Sequence, residues 1–424
     1  MSTGVLALIV LAVCIILFIT ELIPSSFTAV LGCMLMYFVG ACDFNATFAG
    51  FSNSIVVLVV GSMIVGVAMF ETGTARVIAK QCIRFSHGHE KVFIFFASLV
   101  SGILSAFLAN TAVVACFLPI IDSVARSSNM SRKNMTMAIT FGAMYGGSMT
   151  LVGSTPQLTA NGILEPALGY GVSMYQYLGP GACIFIAYLL YTQLFGYRNG
   201  VRIWGDRPEV ESLAEGDAED ILNAPVKRTK VVLMLLIFVG MIVSYSIQKI
   251  PTAMTAAIAG LLCVVLRLCT EKEVFAGIAW GPVFMLAGTL GIATGLSQSG
   301  AGELLANGML GIVGENAPPL LLFAVFVLLA TVISNFAANS TTVIILLPIA
   351  VNYCLLAGWN PITFTVGIVI AANLACSTPI AHPQVTMTLV AGYKFSDYIR
   401  YNGIMQIITN LLIILTTPLF LPFV

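Results

Sequence analysis

The sequence predicts an all-α polytopic membrane protein, and three observations support that prediction. Hydrophobic residues make up 59% of the 424 positions and charged residues only 8%, whereas soluble proteins average about a quarter charged residues. Long apolar runs recur along the whole chain, as transmembrane helices require. These runs are continuous and do not alternate with polar residues, which argues against a β-barrel.

The charge balance excludes one class of partner. The chain has 18 Lys plus Arg and 18 Asp plus Glu, so it offers no basic surface that would bind nucleic acid. The first apolar run, 5–20, is not followed by a small-residue cleavage pattern. We interpret it as a retained span and not as a secretory signal.

The first half of the chain, 1–196, contains four predicted spans, a basic amphipathic stretch, and two apolar segments interrupted by polar residues. These elements are expected at 4–20, 25–41, 54–72, 73–90, 91–125, 133–166 and 174–196. The polar, charged stretch 197–230 is interpreted as a cytoplasmic linker. The second half, 231–424, repeats the order. Its elements are expected at 231–247, 251–269, 280–298, 319–355, 363–392 and 399–420.

The interrupted segments decide the predicted topology. The two parts of 91–125 are each shorter than the roughly 20 residues that a helix needs to cross a bilayer. We therefore interpret 91–125 and 319–355 as re-entrant helical hairpins, and 133–166 and 363–392 as spans that break at the midplane. About ten transmembrane helices result, five in each half, and an odd number places the two halves in opposite orientations.

The distribution of basic residues sets the orientation in the membrane. In this topology all 18 Lys and Arg residues except Lys249 lie on one side. The positive-inside rule makes that side cytoplasmic. Both termini are then expected on the extracytoplasmic side of a cell (inner or plasma) membrane.

An internal repeat supports the two-half organisation. The stretch LANTAVVACFLPI, 108–120, matches AANSTTVIILLPI, 337–349, and in each the asparagine stands nine positions before a proline. STPQ, 154–157, matches AHPQ, 381–384, at almost the same spacing along the chain. Internal repetition with inverted halves is typical of secondary transporters.

The interruptions themselves suggest an anion site. Irregular backbone inside a membrane is tolerated only where protein buries it or water reaches it. Asn, Ser and Thr are common N-caps and proline favours the first helical turn, so half-helices are expected to begin near Asn110, Thr155, Asn339 and His382. Helix N-termini present free N–H groups and partial positive charge, which bind anions.

The absence of basic residues at the breaks bears on the identity of the coupling ion. Neither Lys nor Arg occurs there, so neutral oxygens and helix dipoles, or a co-bound cation, must balance an anion. Na⁺ suits such oxygens, while proton coupling usually needs a titratable group inside the membrane. His382 is the one candidate for that role. The sequence thus favours sodium coupling or exchange of one anion for another.

Each of these residues also has a structural interpretation. A single Asn-Thr pair in a membrane helix more often forms an interhelical hydrogen bond, although two equally spaced copies favour a site. Ser154 and Thr155 could serve only to satisfy the hydrogen-bonding groups of a kinked backbone. His382 could be a structural hydrogen-bond donor.

With these motifs in view, the chain resembles the divalent anion/sodium symporter family, whose members carry dicarboxylates, citrate or sulfate. The family's Ser-Asn-Thr hairpin signature reads Ala-Asn-Thr at 109–111 and Ala-Asn-Ser at 338–340, and His382 stands where a proline is usual. The resemblance implies an elevator mechanism, a homodimer, a transport domain from about 91–166 and 319–392, and a scaffold from the remaining helices.

The resemblance and the breaks together give the predicted site residues. The resemblance implies that Asn110, Thr111, Asn339 and Ser340 contact substrate carboxylates, and the breaks add the remaining polar candidates. The predicted substrate-binding residues are Asn110, Thr111, Ser154, Thr155, Asn339, Ser340, Thr341 and His382. The sodium ligands that the resemblance implies are Ser105, Asn110, Gly153, Ser334, Ala337, Asn339 and Ile380.

The sequence therefore predicts a secondary active transporter of small divalent anions, C4-dicarboxylates above all, coupled to Na⁺ and requiring no other cofactor. Its expected partners are the dianionic substrate, the lipid bilayer and a second copy of the chain. A transporter of sulfate or another oxyanion and a sodium-independent dicarboxylate exchanger remain as alternatives. An enzyme is disfavoured, because no nucleophile-base-acid set or metal cluster occurs in the spans.

Overall fold

A computed structural model describes residues 2–20, 22–86, 88–127, 130–205, 226–247, 249–301, 304, 318–378 and 382–424. These residues form helices joined by short connections. In the first half the α-helices are α1 Thr3–Thr20, α2 Ser25–Phe38, α3 Phe44–Phe48, α4 Ser54–Glu71, α5 Thr74–Ser86, α6 Glu90–Ser105, α7 Asn110–Ser127, α8 Arg132–Gly147, α9 Thr155–Leu168, α10 Leu178–Tyr191 and α11 Tyr197–Trp204.

The second half follows the same order. Its α-helices are α12 Arg228–Ile247, α13 Thr252–Val265, α14 Glu271–Gly277, α15 Trp280–Gln298, α16 Pro319–Ser334, α17 Asn339–Ala357, α18 Pro361–Asn373, α19 Pro383–Thr386 and α20 Phe395–Phe420. A 3₁₀ turn, Met387–Ala391, continues α19. Within the described ranges, six helices are long and apolar enough to cross a membrane, and six apolar helices are shorter. An all-α polytopic membrane protein is thus confirmed, while the count of ten crossings and the inversion of the halves remain predictions.

All four predicted interruptions occur in the structure. The hairpin 91–125 consists of α6 and α7, which are separated by 106–109, and 319–355 consists of α16 and α17, which are separated by 335–338. The segment 133–166 breaks between α8 and α9. The segment 363–392 differs from expectation, because its second part is only a four-residue α-helix that passes into 3₁₀ geometry.

Helix packing repeats between the halves and interleaves them. Each hairpin packs on the helix that follows it, α6 and α7 on α8, and α16 and α17 on α18. The short helices after the breaks cross over, so that α9 contacts α17 and α19 contacts α7. In the same way α2 packs on α15, and α4 packs on α13. As a result, elements from both halves meet at each break.

The first hairpin is held on α8 by small residues. A Cβ atom added at Gly146 would overlap the backbone of Gly102, so the two helices touch there without side chains between them. Beside this contact, Ser98 Oγ donates to the Ala138 carbonyl at 3.1 Å. Small residues and hydroxyls of this kind bring membrane helices together where lipid supplies little hydrophobic driving force. The close approach fixes the position of the break that follows α6.

The predicted linker 197–230 begins later than expected. Its first residues, 197–204, are helical and form α11. A π-helical turn, Thr192–Gly196, joins α11 to the end of α10. Trp204 at the end of α11 is buried and donates from Nε1 to Asn134 Oδ1 at 3.0 Å. Burial of this indole outweighs the charges of the segment and keeps it helical. The central part of the predicted linker, 206–225, lies outside the described residues.

Candidate functional site

The tip of the first hairpin is closed by a hydrogen bond across the break. Asn110 is the first residue of α7, and its Oδ1 accepts a hydrogen bond from Ser105 Oγ at the end of α6. A Cβ atom at Gly147 would collide with the Asn110 amide, so the end of α8 lies directly against it. The Asn110 side chain is therefore fixed by two elements at once.

The second hairpin repeats this bond and adds a histidine. Ser334 Oγ donates to Asn339 Oδ1 at 2.9 Å. The Ala372 carbonyl, at 2.8 Å, is a second acceptor within reach of the same hydroxyl. Asn339 Nδ2 donates to His382 Nδ1 at 2.6 Å, and His382 Nε2 lies 3.0 Å from the Ala375 carbonyl. A carbonyl only accepts and an amide nitrogen only donates, which assigns the ring proton to Nε2 and makes the imidazole neutral.

The two asparagines do not cap their helices as the sequence suggested. Asn339 is the first helical residue, and Ala338 at the N-cap position makes no side-chain hydrogen bond. The asparagine side chain instead reaches back across the break to the preceding helix. The N–H groups in the first turn of α17 therefore have no intrahelical partner and receive no bond from a side-chain cap.

The break in the first half is organised by Gln157. Ser154 Oγ donates to Gln157 Oε1, and Gln157 Nε2 donates to the Gly147 carbonyl at 3.0 Å. In the second half, His382 makes a similar contact to the Ala375 carbonyl, which lies just beyond the end of α18. A histidine thus provides a backbone contact like that of the Gln157 amide, although the repeat aligns Gln157 with Gln384.

Two further hydrogen bonds match between the halves. Thr150 Oγ1 donates to the Ala106 carbonyl, and Thr378 Oγ1 donates to the Asn335 carbonyl. Each one ties the chain after a span to the turn of the neighbouring hairpin. The repeat seen in the sequence therefore extends to individual hydrogen bonds.

A cavity of about 460 Å³ lies where the hairpin tips and the breaks meet. Seven of the eight predicted substrate-binding residues line it: Asn110, Thr111, Ser154, Thr155, Asn339, Ser340 and His382. Thr341 does not. Its side chain is fully buried, and its hydroxyl has no hydrogen-bond partner within the described residues. On the helix its position turns it away from the cavity and toward the packed interior.

Only some of the predicted sodium ligands line this cavity. Asn110 and Asn339 line the cavity, and Ser105 and Ser334 are fully buried behind them. Gly153 and Ala337 belong to the breaks. Ile380 lies outside the described residues.

The electrostatics of the cavity come from backbone and neutral groups. None of its lining residues carries a formal charge, since His382 is held neutral. The helices α7, α9 and α17 begin at the cavity and direct their N-terminal N–H groups and partial positive charge toward it. The four-residue α19 is too short to add a comparable dipole. Such a neutral, donor-rich cavity is suited to an anion.

The wall of the cavity that faces the hairpin tips was not predicted from the sequence. It is formed by the beginning of α2 with Ser25 and Ser26, by Ser62 of α4, and by the beginning of α15. Asn373 and Gln384 also line the cavity. A polar residue within an apolar helix, as at Ser62 and Asn373, is the signal that could have indicated them.

Comparisons with known proteins agree with this architecture. An uncharacterised transporter of Synechocystis, sll0640, is 31% identical over 189 residues, a stretch that covers 45% of this chain but only 31% of the relative. The sodium-dependent high-affinity dicarboxylate transporter 3 of Caenorhabditis elegans is 24% identical over 463 residues and is matched over 93% of this chain and 80% of its own length.

Solved structures show the same fold. MtrF of Neisseria gonorrhoeae, an antimetabolite efflux pump, superimposes with a TM-score of 0.65 at 14% identity and covers 98% of this chain and 94% of its own. The model of the citrate transporter family matches residues 15–309 and 242–424. Together these two matches span nearly the whole sequence, and the chain belongs to the citrate transporter family.

Proposed function

We propose that the protein is a secondary active transporter of small divalent anions, with C4-dicarboxylates as the preferred substrates and Na⁺ as the coupling ion. The main support is that both hairpin tips and both breaks border one cavity without a formally charged lining residue. Its volume of about 460 Å³ is in the range of small-molecule sites.

The two ends of a dicarboxylate match the two hairpin tips. Asn110 and Thr111 would bind one carboxylate, and Asn339 and Ser340 the other, with N-terminal N–H groups of α7 and α17 as further donors. Ser154 and Thr155 contribute hydroxyls from the first break. Because no basic residue neutralises the substrate, a co-transported cation would offset its charge.

Na⁺ is the proposed cation for two reasons. The Asn110 and Asn339 oxygens and the hydroxyls of Ser105 and Ser334 are the neutral oxygens that a hard cation prefers. The relative from Caenorhabditis elegans is named as sodium-dependent. His382 is not the proton carrier in this proposal, since both ring nitrogens are already engaged.

Alternating access would move the hairpins and broken helices against the other helices. The cavity lies between these two groups, with α2, α4 and α15 on the far side. A substrate held by 91–166 and 319–392 would cross the membrane with them while the scaffold, paired in a homodimer, stays in place. Both termini would lie outside the cytoplasm.

Uptake into proteoliposomes tests the proposal. Labelled succinate should accumulate when an inward Na⁺ gradient is applied and should not accumulate with K⁺ in its place. Unlabelled malate, citrate and sulfate, added in turn, define the substrate class. No gradient-driven uptake of succinate, citrate or sulfate would contradict the proposal.

One observation favours sodium-independent exchange as a second candidate. Each asparagine oxygen already accepts a hydrogen bond from a serine hydroxyl, so only one of its two lone pairs is left for a cation. An exchanger would take up labelled succinate only into vesicles that are preloaded with dicarboxylate, and equally well in Na⁺ and in K⁺. Uptake into unloaded vesicles in Na⁺ alone identifies the symporter.

A further inference from the structure

Asn373 is a buried amide at the cavity whose nitrogen lacks a partner. It is the last residue of α18, it lines the cavity, and its side chain is only 1% exposed. Its Nδ2 has no hydrogen-bond partner within the described part of the chain. Buried donors in native proteins are nearly always satisfied, so a donor left over in the wall of a binding cavity points to a ligand.

Other buried amides show how the protein normally treats this group. Asn339 uses both its oxygen and its nitrogen, for Ser334 and His382. Asn161, which is 4% exposed, is paired on both sides with the backbone of Val172, at 2.9 and 2.8 Å. Asn373 Nδ2, by contrast, is a buried amide nitrogen at the cavity that has no such partner within the described residues.

The first half contributes no equivalent donor. The residues that the internal repeat aligns with Asn373 are Met144, Tyr145 and Gly146, depending on which motif sets the spacing. The Tyr145 hydroxyl lies 2.9 Å from Thr409 Oγ1 on α20, and Gly146 is pressed against Gly102. The extra amide therefore belongs to the second half alone, on the side of Asn339 and His382.

We infer that Asn373 Nδ2 donates a hydrogen bond to a carboxylate oxygen of the bound anion, which makes Asn373 a substrate-binding residue supplied by the second half only. This inference rests on the proposed function. It follows that the two ends of the substrate are held unequally, although the hairpin tips are matched. The end near Asn339 is held by the Asn373 amide as well, while the nitrogen of Asn339 itself is engaged by His382.

Asn373→Leu separates binding from folding, because leucine keeps the branched shape and removes the donor. An unpartnered buried donor destabilises the ligand-free protein, so its removal should leave the Tm of the purified transporter unchanged or higher. Affinity for succinate should fall about tenfold. Two readouts measure it: the KM of uptake, and the succinate concentration that gives half of the ligand-induced rise in Tm.

Asn402→Leu is the matched control. Asn402 is also fully buried, and both atoms of its amide lack partners within the described residues, but it is on α20 and does not line the cavity. Its replacement should also leave Tm unchanged or higher, and succinate affinity should equal that of the wild type. A fall in affinity in both variants would show a general effect of packing and would overturn the inference.

The remaining outcomes are equally specific. Unchanged succinate affinity in Asn373→Leu, whatever its Tm, contradicts the inference and leaves the proposed function intact. If the leucine variant does not fold, Asn373→Ala provides the same affinity measurement. A wild-type protein whose Tm responds to none of succinate, citrate and sulfate refutes the proposed function, and the role of Asn373 with it.

Discussion

Asn110 and Asn339 illustrate how one residue type can hold a backbone break together and present a binding surface. Each oxygen accepts a hydroxyl from the last residue of the preceding helix. The amide nitrogens differ, since that of Asn339 is engaged by His382. Because the Asn339 side chain is tied back, no side chain caps the first turn of α17, and in the proposed function its N–H groups would bind the substrate.

Replacing Asn110 or Asn339 by Ala should abolish succinate uptake. Loss of either amide removes a group of the proposed site. In Asn110→Ala the buried Ser105 hydroxyl also loses its bond to the amide oxygen, at a cost of about 1–3 kcal/mol, whereas in Asn339→Ala the Ser334 hydroxyl can still donate to the Ala372 carbonyl. Both variants should still be recovered from the membrane as folded protein, at a slightly lower Tm. Asn352→Ala is the control: this asparagine is on the same helix as Asn339 but bonds to the Pro348 carbonyl outside the cavity. Wild-type uptake by the double variant Asn110→Ala/Asn339→Ala would rule out the site.

Replacing His382 by Gln should preserve transport and its pH profile. A glutamine amide can donate to the Ala375 carbonyl and accept from Asn339, as the neutral imidazole does. Leucine offers neither bond, so His382→Leu should release Asn339 and raise the KM for succinate. Initial uptake rates between about pH 5.5 and 7.5 check both variants. A pH dependence present in the wild type and lost in His382→Gln would assign a proton-carrying role to the histidine.

At the scale of elements, the hairpins depend on the helices that support them. The first hairpin reaches its position because α6 and α8 touch through glycine and serine. Thr150 and Thr378, which lie within the two breaks, then tie each break to the turn of the neighbouring hairpin. The breaks could be located from sequence, because polar residues and prolines interrupt apolar runs there. Which helix supports each hairpin could not, because that depends on contacts between distant segments.

Substituting Gly146 by Ala should destabilise the protein and reduce uptake. The added methyl group would overlap the Gly102 backbone, so α6 and α8 would have to separate, at a cost of about 1–3 kcal/mol for overpacking. Gly240→Ala is the matched control, because the space around Gly240 in α12 is open and alanine favours a helix. Thermal unfolding in detergent should show a lower Tm for the first variant and an equal or higher Tm for the second. Equal Tm values in the two variants would contradict the close approach.

At the scale of the whole molecule, the two halves form one structure by exchanging elements. The helices α9 and α19 each contact the hairpin of the other half, and α2 and α4 pack on α15 and α13. Neither half could therefore enclose the cavity alone. The sequence repeat indicates two copies of one unit. Only the packing shows that both copies contribute to the walls of a single cavity.

Epitope tags on either terminus should be accessible from outside intact cells. In the predicted topology nearly all Lys and Arg lie on one side, which the positive-inside rule makes cytoplasmic, and both termini are then expected outside. Antibody labelling before and after permeabilisation measures this, with a tag inserted in the stretch 206–225 as the internal control. Labelling of the termini only after permeabilisation, with the inserted tag exposed, would reverse the orientation.

The sequence by itself determined the membrane class, the positions of the longer helices and of the breaks, the repeat, and most polar residues of the cavity. These are local properties, since hydropathy, proline and polar interruptions act over a few residues. Tertiary structure decided the rest. It turned Thr341 into the packed interior, tied the asparagines back across the breaks, and brought Ser62 and Asn373 to the cavity. The physical reason is that a side chain's partners depend on which distant segments pack beside it, and apolar helices of similar composition do not encode that choice locally.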